Sequence, residues 1–238
     1  MEQINYQFLE ELKSLFRLHI VTKEFKHIIE YEPGSWKMFE PTKFVYSYFA
    51  FNTFYNYDWV ESFKNQTLTL FKEIEDKALT ETQKFKSMID FIFDNTSPEE
   101  RNTLVKFILR PNNRENPIQK AKLVNYINGI TTDNKITESE RESFKREFNN
   151  LIESEELKIG KLKKDILRFI YLVRNNIFHG TKTTIEMSDI NQRKRLDIYS
   201  NILIGVNELL FKSFENKTNQ SFDRNYKLNL DGRNQQTS

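Results

Sequence analysis

Apolar residues recur every three or four positions along most of the chain, which is the spacing that places them on one face of an α-helix. Between residues 3 and 30 this stripe consists of Phe8, Leu12, Leu15, Phe16, Ile20 and Phe25. A later stripe, within residues 189–215, runs through Leu196, Tyr199, Leu203, Val206, Leu210 and Phe214. Because the same helical period returns from one end of the chain to the other, the pattern predicts an all-α fold.

The segment 42–60 departs from this one-sided pattern. It reads TKFVYSYFAFNTFYNYDWV and carries aromatic residues on nearly every side of a helix. A helix that is apolar all round is stable only when its neighbours cover it. We therefore expect this helix to lie at the centre of the protein, wrapped by the others.

Polar residues and prolines mark where one helix should begin and end. The Ser97 hydroxyl can accept a hydrogen bond from a free N–H of the first turn, where Pro98 is tolerated and the carboxylates of Glu99 and Glu100 face the positive end of the helix dipole. The residue before Pro111 is disfavoured in a helix. These signals predict a helix from Ser97 to just before Pro111.

Two more helices follow the loop at 111–117. The first covers residues 118–127 and is closed by Asn128 and Gly129. Thr137 and Glu140 have the spacing of a capping box, in which each residue's side chain binds the other's backbone N–H. The helix that they open is expected to run to about Glu155 and to bury Phe144, Phe148 and Leu151.

The last two predicted helices are bounded by glycines and by small polar residues. A helix over residues 162–178 lies between Gly160 and Gly180, and Ser188 or Asp189 is expected to cap the final helix. The apolar stripe of the first of them consists of Ile166, Ile170, Val173 and Ile177. We expect one elaborated helical domain over residues 1–215 and a polar tail over 216–238.

Composition excludes several kinds of chemistry. The 238 residues include no cysteine, which excludes disulfides, thiolate nucleophiles and cysteine-ligated zinc. The sequence lacks both a basic, apolar signal peptide and an apolar run of eighteen residues, so no membrane association and a cytoplasmic location are expected. His19 and His27 are eight residues apart and have no metal-ligand spacing, and no metal or other cofactor is expected.

The net charge of +2 is unevenly distributed. Residues 158–195 contain ten Lys or Arg and three Asp or Glu, a balance of +7 that leaves −5 for the remainder. A local basic surface is typical of proteins that contact phosphate groups at one place, although a solvated helix face has the same composition.

Arg174, Asn175 and His179 stand in the middle of this basic stretch, within LRFIYLVRNNIFHGTK. On a helix, Asn175 and His179 are four residues apart and lie on the same side, and the long Arg174 side chain can reach the same space. An imidazole transfers protons near neutral pH, and a guanidinium offers forked donors to phosphate oxygens. This combination suits cleavage of RNA by its own 2′-hydroxyl group.

The motif from Arg174 to His179 resembles the signature of the HEPN ribonucleases, in which an arginine followed by a polar residue precedes a histidine by about four to six residues on the second-last helix of a helical bundle. The resemblance is carried by residues 160–215, the motif-bearing core, and implies a HEPN-like bundle with additional helices here. It further implies a homodimer whose two motifs form one active site and metal-independent cutting of RNA that leaves 2′,3′-cyclic phosphate and 5′-hydroxyl ends. Family members often act as toxins or as anti-phage defence effectors.

The same resemblance assigns roles to individual residues. His179 would transfer protons, Arg174 would stabilise the charge of the transition state, and Asn175 would orient both. The residues expected to bind the RNA backbone are Lys161, Lys163, Lys164, Arg168, Lys182, Arg193, Lys194 and Arg195. In members controlled by a nucleotidyltransferase antitoxin a tyrosine stands two residues after the histidine, and here that position is Thr181, which argues against that form of control.

Some alternatives stay open at this point. The stretch FAFNTFYNYDW also resembles an F-N-x-x-Y element of bacterial defence-type HEPN proteins, but packing is the favoured explanation for Asn52, Tyr55 and Trp59. A HEPN-like module could bind RNA or a protein without cutting, and a helical adaptor could carry the motif by accident. An antitoxin or a sensor protein is a further expected partner.

Overall fold

The structure is a computed structural model, and it describes residues 39–56, 81–109, 117–131, 136–154, 158–178, 182–218 and 221–222 together with Lys13, Phe16, Arg17 and Ile20. These residues form helices and turns, with no β-strand among them, which confirms the all-α class. Most of the stripe predicted over residues 3–30 lies outside the described residues, as do residues 219–220 and 223–238 of the predicted tail, whereas residues 216–218 continue the last helix. No helix in the described part of the chain is long and apolar enough to cross a membrane.

The described helices follow one another along the chain with short connections in its second half. They are α1 (Phe39–Asn56), α2 (Glu81–Asp94), α3 (Pro98–Leu109), α4 (Pro117–Asn128), α5 (Glu138–Ser154), α6 (Ile159–Lys161), α7 (Arg168–Phe178), α8 (Thr184–Ser188) and α9 (Ile190–Thr218). A π-helical segment, Leu162–Leu167, joins α6 directly to α7.

The longest of the described helices, α9, lies at the centre of the bundle. It packs against α1, α2, α3, α4 and α8, and every residue over 198–211 is buried. The buried set includes polar residues, among them Ser200, Asn207 and Ser213, so the single apolar stripe predicted from the sequence understates how completely α9 is covered. These five helices are therefore positioned by their contacts with α9.

The aromatic helix α1 is half covered, so the prediction that neighbours wrap it on all sides is wrong. Phe44, Tyr48 and Phe51 are buried, whereas Tyr46 keeps 43% and Phe49 keeps 56% of its surface exposed. Among the described helices, α1 packs chiefly on α9 and more lightly on α2, and these two cover only part of its circumference. One face of α1 is left as an exposed aromatic surface.

Stacked rings fix the position of α7 within the bundle. Phe169 of α7 lies parallel to Phe144 of α5, with ring centroids 4.2 Å apart, and the Tyr199 ring of α9 meets both rings edge-on. Tyr199 also contacts Phe44 of α1, at 6.2 Å between centroids. Complete burial raises the pKa of the Tyr199 hydroxyl well above its ordinary value of 10.0. Four helices thus meet in one aromatic cluster, which holds the start of α7.

Two buried cations tie α1 to the first turns of α9. Arg193 donates from Nε to Glu40 Oε2 at 2.7 Å and from Nη2 to Glu40 Oε1 at 3.0 Å. Lys43 Nζ donates to Asp197 Oδ1 at 2.7 Å and to Asn201 Oδ1 at 2.8 Å. A forked pair between two buried groups has a single good geometry, so it fixes how α1 and α9 sit against each other.

The predicted helix starts at Ser97 and Thr137 are confirmed. The Ser97 hydroxyl accepts from the Glu100 N–H while Glu100 accepts from the Ser97 N–H at 2.9 Å, so this start is a complete capping box. Thr137 and Glu140 make the same reciprocal pair. The helices end at Leu109, Asn128 and Ser154, within a residue or two of the sequence expectation.

The region between α7 and α9 was predicted less completely. The sequence pattern did not anticipate α8, which Thr183 and Glu186 begin with a third capping box. Of the two candidates for the start of α9, Asp189 is the capping residue, since its Oδ1 accepts from the Asn191 and Gln192 N–H groups. The continuous helix predicted over 162–178 is also interrupted by the π-helical segment, which inserts an extra residue into one turn.

Candidate functional site

The site is built on the second half of α7, whose inner face is held in the core. Phe169, Ile170 and Val173 are buried, and this anchoring leaves Arg174 and Asn175 half-buried on the adjoining face. Asn176, the second asparagine of the motif, turns inward and is 2% exposed. The helix therefore separates the two adjacent asparagines, and it is Asn175 that lies beside Arg174, as the sequence predicted.

The Arg174 guanidinium is held by two aromatic rings and one amide. Its central carbon lies 4.7 Å from the centroid of the Phe178 ring and 5.3 Å from that of Tyr48 on α1. Nη1 donates a hydrogen bond of 2.9 Å to Asn175 Oδ1. Rings and an amide orient a guanidinium without cancelling its charge.

Arg174 also has unused capacity to bind an anion. In the part of the chain that the structure describes, no carboxylate lies within ion-pair distance of Arg174, and its Nε is buried without a hydrogen-bond partner. A half-buried guanidinium with a free donor is electrostatically incomplete. A phosphate oxygen would supply the missing acceptor and the missing negative charge.

His179 lies outside the described residues, as do Gly180 and Thr181. The contact between Arg174 and Asn175 is thus the part of the predicted triad that the structure brings together. The placement of His179 beside Asn175 stays a prediction. In the F-N-x-x-Y element, Asn52 is half-buried on α1, the Tyr55 side chain is not described, and Trp59 lies outside the described residues.

Several cations of the predicted RNA-binding set are engaged by carboxylates of this chain. Lys161 Nζ lies 3.2 Å from Glu147 Oε1 and 3.5 Å from Asp165 Oδ2. Lys163 is paired with Asp90 of α2. Both could meet RNA only in competition with these acids.

Arg193 and Arg195 of the predicted RNA-binding set hold helices together and are not available to bind RNA phosphates. Arg193 is buried in its forked pair with Glu40. Arg195 donates to the backbone carbonyl oxygens of Tyr126 and Gly129, joining α9 to the end of α4. The Arg193 charge is balanced by Glu40, and the Arg195 guanidinium is held by backbone carbonyl oxygens. A count of charges along the sequence does not reveal either contact.

The remaining cations of the set lie nearer the surface. Lys164 and Arg168 are exposed, and the Arg168 guanidinium lies 5.4 Å from the Tyr171 ring centroid. Lys182 and Lys194 are half-buried, and Lys182 borders a cavity of about 70 Å³ beside Asn176 and Arg195.

A large cavity lies next to the Arg174 site. It has a volume of about 670 Å³ and is lined by residues of α1, the start of α5, the π-helical segment and the first turn of α7. Tyr48 forms part of the cavity wall and also contacts Arg174, so its ring borders both the cavity and the Arg174 guanidinium. Lys86 of α2 joins Lys164 and Arg168 at this cavity. Sequence reasoning missed Lys86 because it precedes the basic stretch by more than seventy residues.

Comparison of the chain with protein-family models, with curated proteins and with solved structures finds no match.

Proposed function

We propose that this chain is a metal-independent endoribonuclease of the HEPN type, which cleaves RNA by attack of a 2′-hydroxyl group on the adjacent phosphate. The observation that carries the proposal is the state of Arg174, which two rings and Asn175 hold in place while it lacks a carboxylate partner among the described residues. A preorganised cation of this kind stabilises charge that develops on a phosphate during reaction.

The three motif residues have separate parts in this proposal. Arg174 binds the non-bridging phosphate oxygens and stabilises the phosphorane-like transition state. Asn175 fixes the guanidinium through the 2.9 Å hydrogen bond to Nη1. His179 transfers the proton, because an imidazole titrates near neutral pH. The products are a 2′,3′-cyclic phosphate and a 5′-hydroxyl end.

The proposed assembly is a homodimer in which two copies of the motif face one RNA. Phe178, which contacts Arg174, keeps 48% of its surface exposed, and the exposed face of α1 carries Tyr46 and Phe49. Exposed aromatic residues are common at protein interfaces. The proposed setting is the cytoplasm, where a toxin or anti-phage defence effector acts on RNA under the control of an antitoxin or a sensor protein.

The first experiment is an RNA cleavage assay in EDTA with total RNA and transfer RNA, followed by mapping of the fragment ends. Wild type is compared with Arg174→Ala, Arg174→Lys and His179→Ala. We expect the alanine variants to be slower by about 10²–10⁴-fold, the range for loss of a charge-stabilising or proton-transferring group. Arg174→Lys should also be impaired, since an ammonium group cannot form a fork to two oxygens.

The matched control is Lys122→Ala, which removes an exposed positive charge on α4 and should cut at the wild-type rate. Circular dichroism establishes that each variant is folded. Cleavage that survives in both Arg174→Ala and His179→Ala would refute the proposal, because the activity would then arise elsewhere or from a contaminant. RNA binding without cutting, lost in Arg174→Ala, would favour the non-catalytic RNA-binding module instead.

A further inference from the structure

The cavity of about 670 Å³ combines apolar walls with a charged rim. Tyr48 and Phe51 of α1 and Phe169 of α7 contribute aromatic surface to its walls. A volume of this size is in the range that accommodates a small organic ligand, and mainly apolar walls with a few polar groups are typical of such sites. The body of a fitting ligand is therefore flat and largely apolar.

The rim of the cavity carries positive charge that the described part of the protein does not neutralise. Lys86, Lys164 and Arg168 line it, and none of the three has a carboxylate within ion-pair distance among the described residues. The fourth cation at the cavity, Lys163, is paired with Asp90. The lining also includes Glu140, whose carboxylate accepts hydrogen bonds from the backbone N–H and the hydroxyl of Thr137. Three unneutralised cations at one opening favour an anionic group on the ligand, and phosphate is an anion that both arginine and lysine bind strongly.

A buried carboxylate in the cavity favours a ligand that also carries hydrogen-bond donors. Asp165 lines the cavity with its side chain 6% exposed, and its Oδ2 makes no hydrogen bond, although Lys161 Nζ lies 3.5 Å away. The ion pair with Lys161 balances the charge of Asp165 but leaves the buried Oδ2 without a hydrogen-bond donor, which a ligand could supply. Asp165 belongs to the π-helical segment, and π-helical turns inside α-helices occur frequently at functional sites.

From these three features we infer that the cavity binds a nucleoside phosphate whose base offers N–H donors, and that guanine is the preferred base. The base occupies the aromatic part of the cavity, where its ring N–H and amino group donate to the Asp165 carboxylate. The phosphate lies at the rim, against Lys86, Lys164 and Arg168. This inference does not depend on RNA cleavage at Arg174, since no residue of the proposed catalytic motif is needed for it.

The test is calorimetric titration of the full chain with GMP, AMP, UMP, guanosine and inorganic phosphate. GMP should bind with one site per chain and at least about tenfold more tightly than AMP or UMP, because a carboxylate accepts two hydrogen bonds from guanine, from the ring N–H and the amino group, but only one from the same edge of adenine or uracil. Guanosine and phosphate should each bind more weakly than GMP. Absence of saturable GMP binding at millimolar concentration would overturn the inference.

Two variants separate the parts of the site. Asp165→Asn should remove the preference for GMP over AMP, and Lys164→Glu should weaken binding of all three nucleotides by about tenfold through charge reversal at the rim. Because Lys164 is exposed, its variant should fold even if Asp165→Asn does not. The control Lys122→Glu on α4 makes the same charge reversal away from the cavity lining. GMP binding that is unchanged in both Asp165→Asn and Lys164→Glu would also overturn the inference.

The nucleotide could be free or part of an RNA chain, and a short RNA distinguishes these sources. A trinucleotide with a central guanine, its 2′-hydroxyl groups methylated so that the proposed reaction cannot cleave it, is titrated into wild type and into Arg174→Ala. Tighter binding than GMP, lost in Arg174→Ala, identifies a guanine nucleotide of the substrate whose neighbouring phosphate reaches Arg174. Binding no tighter than GMP and independent of Arg174 identifies a free nucleotide. Because the titrations require no cleavage, a failure here and a failure of the nuclease proposal are recognised separately.

Discussion

Gly129 and Gly160 are both exposed, but a methyl group added at each would meet different surroundings. At Gly160 the new carbon would have no neighbour within 4 Å, whereas at Gly129 it would lie 3.1 Å from Arg195 Nη2 and 3.3 Å from the Asn125 carbonyl oxygen. Gly129 thus allows the Arg195 guanidinium to approach the backbone and to bind the carbonyl oxygens of Tyr126 and Gly129.

These surroundings predict opposite effects of the same substitution. Gly160→Ala should raise the free energy of unfolding by about 0.5–1 kcal/mol, because alanine restricts the unfolded chain and favours a helix. Gly129→Ala should lower it, since Arg195 must move away from its carbonyl partners. Urea unfolding of both variants and of wild type checks the pair. A stabilised Gly129→Ala variant would show that the Arg195 contact contributes nothing to stability.

Individual charged residues illustrate the limit of prediction from sequence. Arg193 and Arg168 stand in the same basic stretch, yet one is buried against Glu40 and the other is exposed at a cavity. The partner of Arg193 lies 153 residues earlier in the chain, so nothing in its neighbourhood reveals the pairing. Arg174 and Asn175 could be recognised as a pair because they are adjacent in sequence and their contact is local.

At the scale of the structural elements, the starts of the helices were predicted best from the sequence. The capping boxes at Ser97 and Thr137 depend on side chains three residues apart, so local spacing is enough to identify them. The π-helical segment could not be predicted, because its apolar residues also fit the spacing of an ordinary helix. The full burial of α9 likewise depends on five packed helices and not on its own periodicity.

The start of α3 yields a prediction about pH. Partial burial alone would raise the pKa of Glu100, but hydrogen bonds from the Ser97 N–H and the Asn216 amide, together with the Lys212 ammonium group, hold that pKa below its ordinary value of 4.5. A pKa that is lower in the folded than in the unfolded protein stabilises the fold above pH 4.5, and this stabilisation is lost as the pH falls through the folded value.

Glu100→Gln should therefore lower the free energy of unfolding at about pH 7 and have a much smaller effect at about pH 3. Ser97→Ala should destabilise by about 1 kcal/mol, since it removes the capping hydroxyl. Urea unfolding at both pH values measures these changes, with Glu153→Gln, an exposed site on α5, as the control. An effect of Glu100→Gln that is as large in acid as at neutral pH would contradict the argument.

At the scale of the whole molecule, the pairing of α1 with α9 holds together segments that are far apart in the chain. The pair of Glu40 with Arg193 is buried, with both side chains 9% exposed. Removing one member leaves the other buried without its counter-charge. This loss destabilises the fold by more than the intact pair stabilises it.

We expect Glu40→Ala to lower the free energy of unfolding by about 3–5 kcal/mol. The double variant Glu40→Leu, Arg193→Met should recover much of this loss, because it removes both charges and keeps the volume apolar. Thermal and urea unfolding of the single and double variants measure the coupling between the two positions. Equal losses in the single and double variants would mean that the two side chains contribute through packing and not as an ion pair.

The central position of α9 also determines when this chain can fold during translation. The helices that pack against α9 are all made earlier, and α1 and α9 are joined by contacts between residues more than 150 positions apart. While the ribosome is still adding residues 190–218, α1 and α3 exist without the surface that covers them. The nascent chain must then keep its aromatic residues from aggregating, and a toxin of the proposed kind would be inactive until synthesis of α9 is complete.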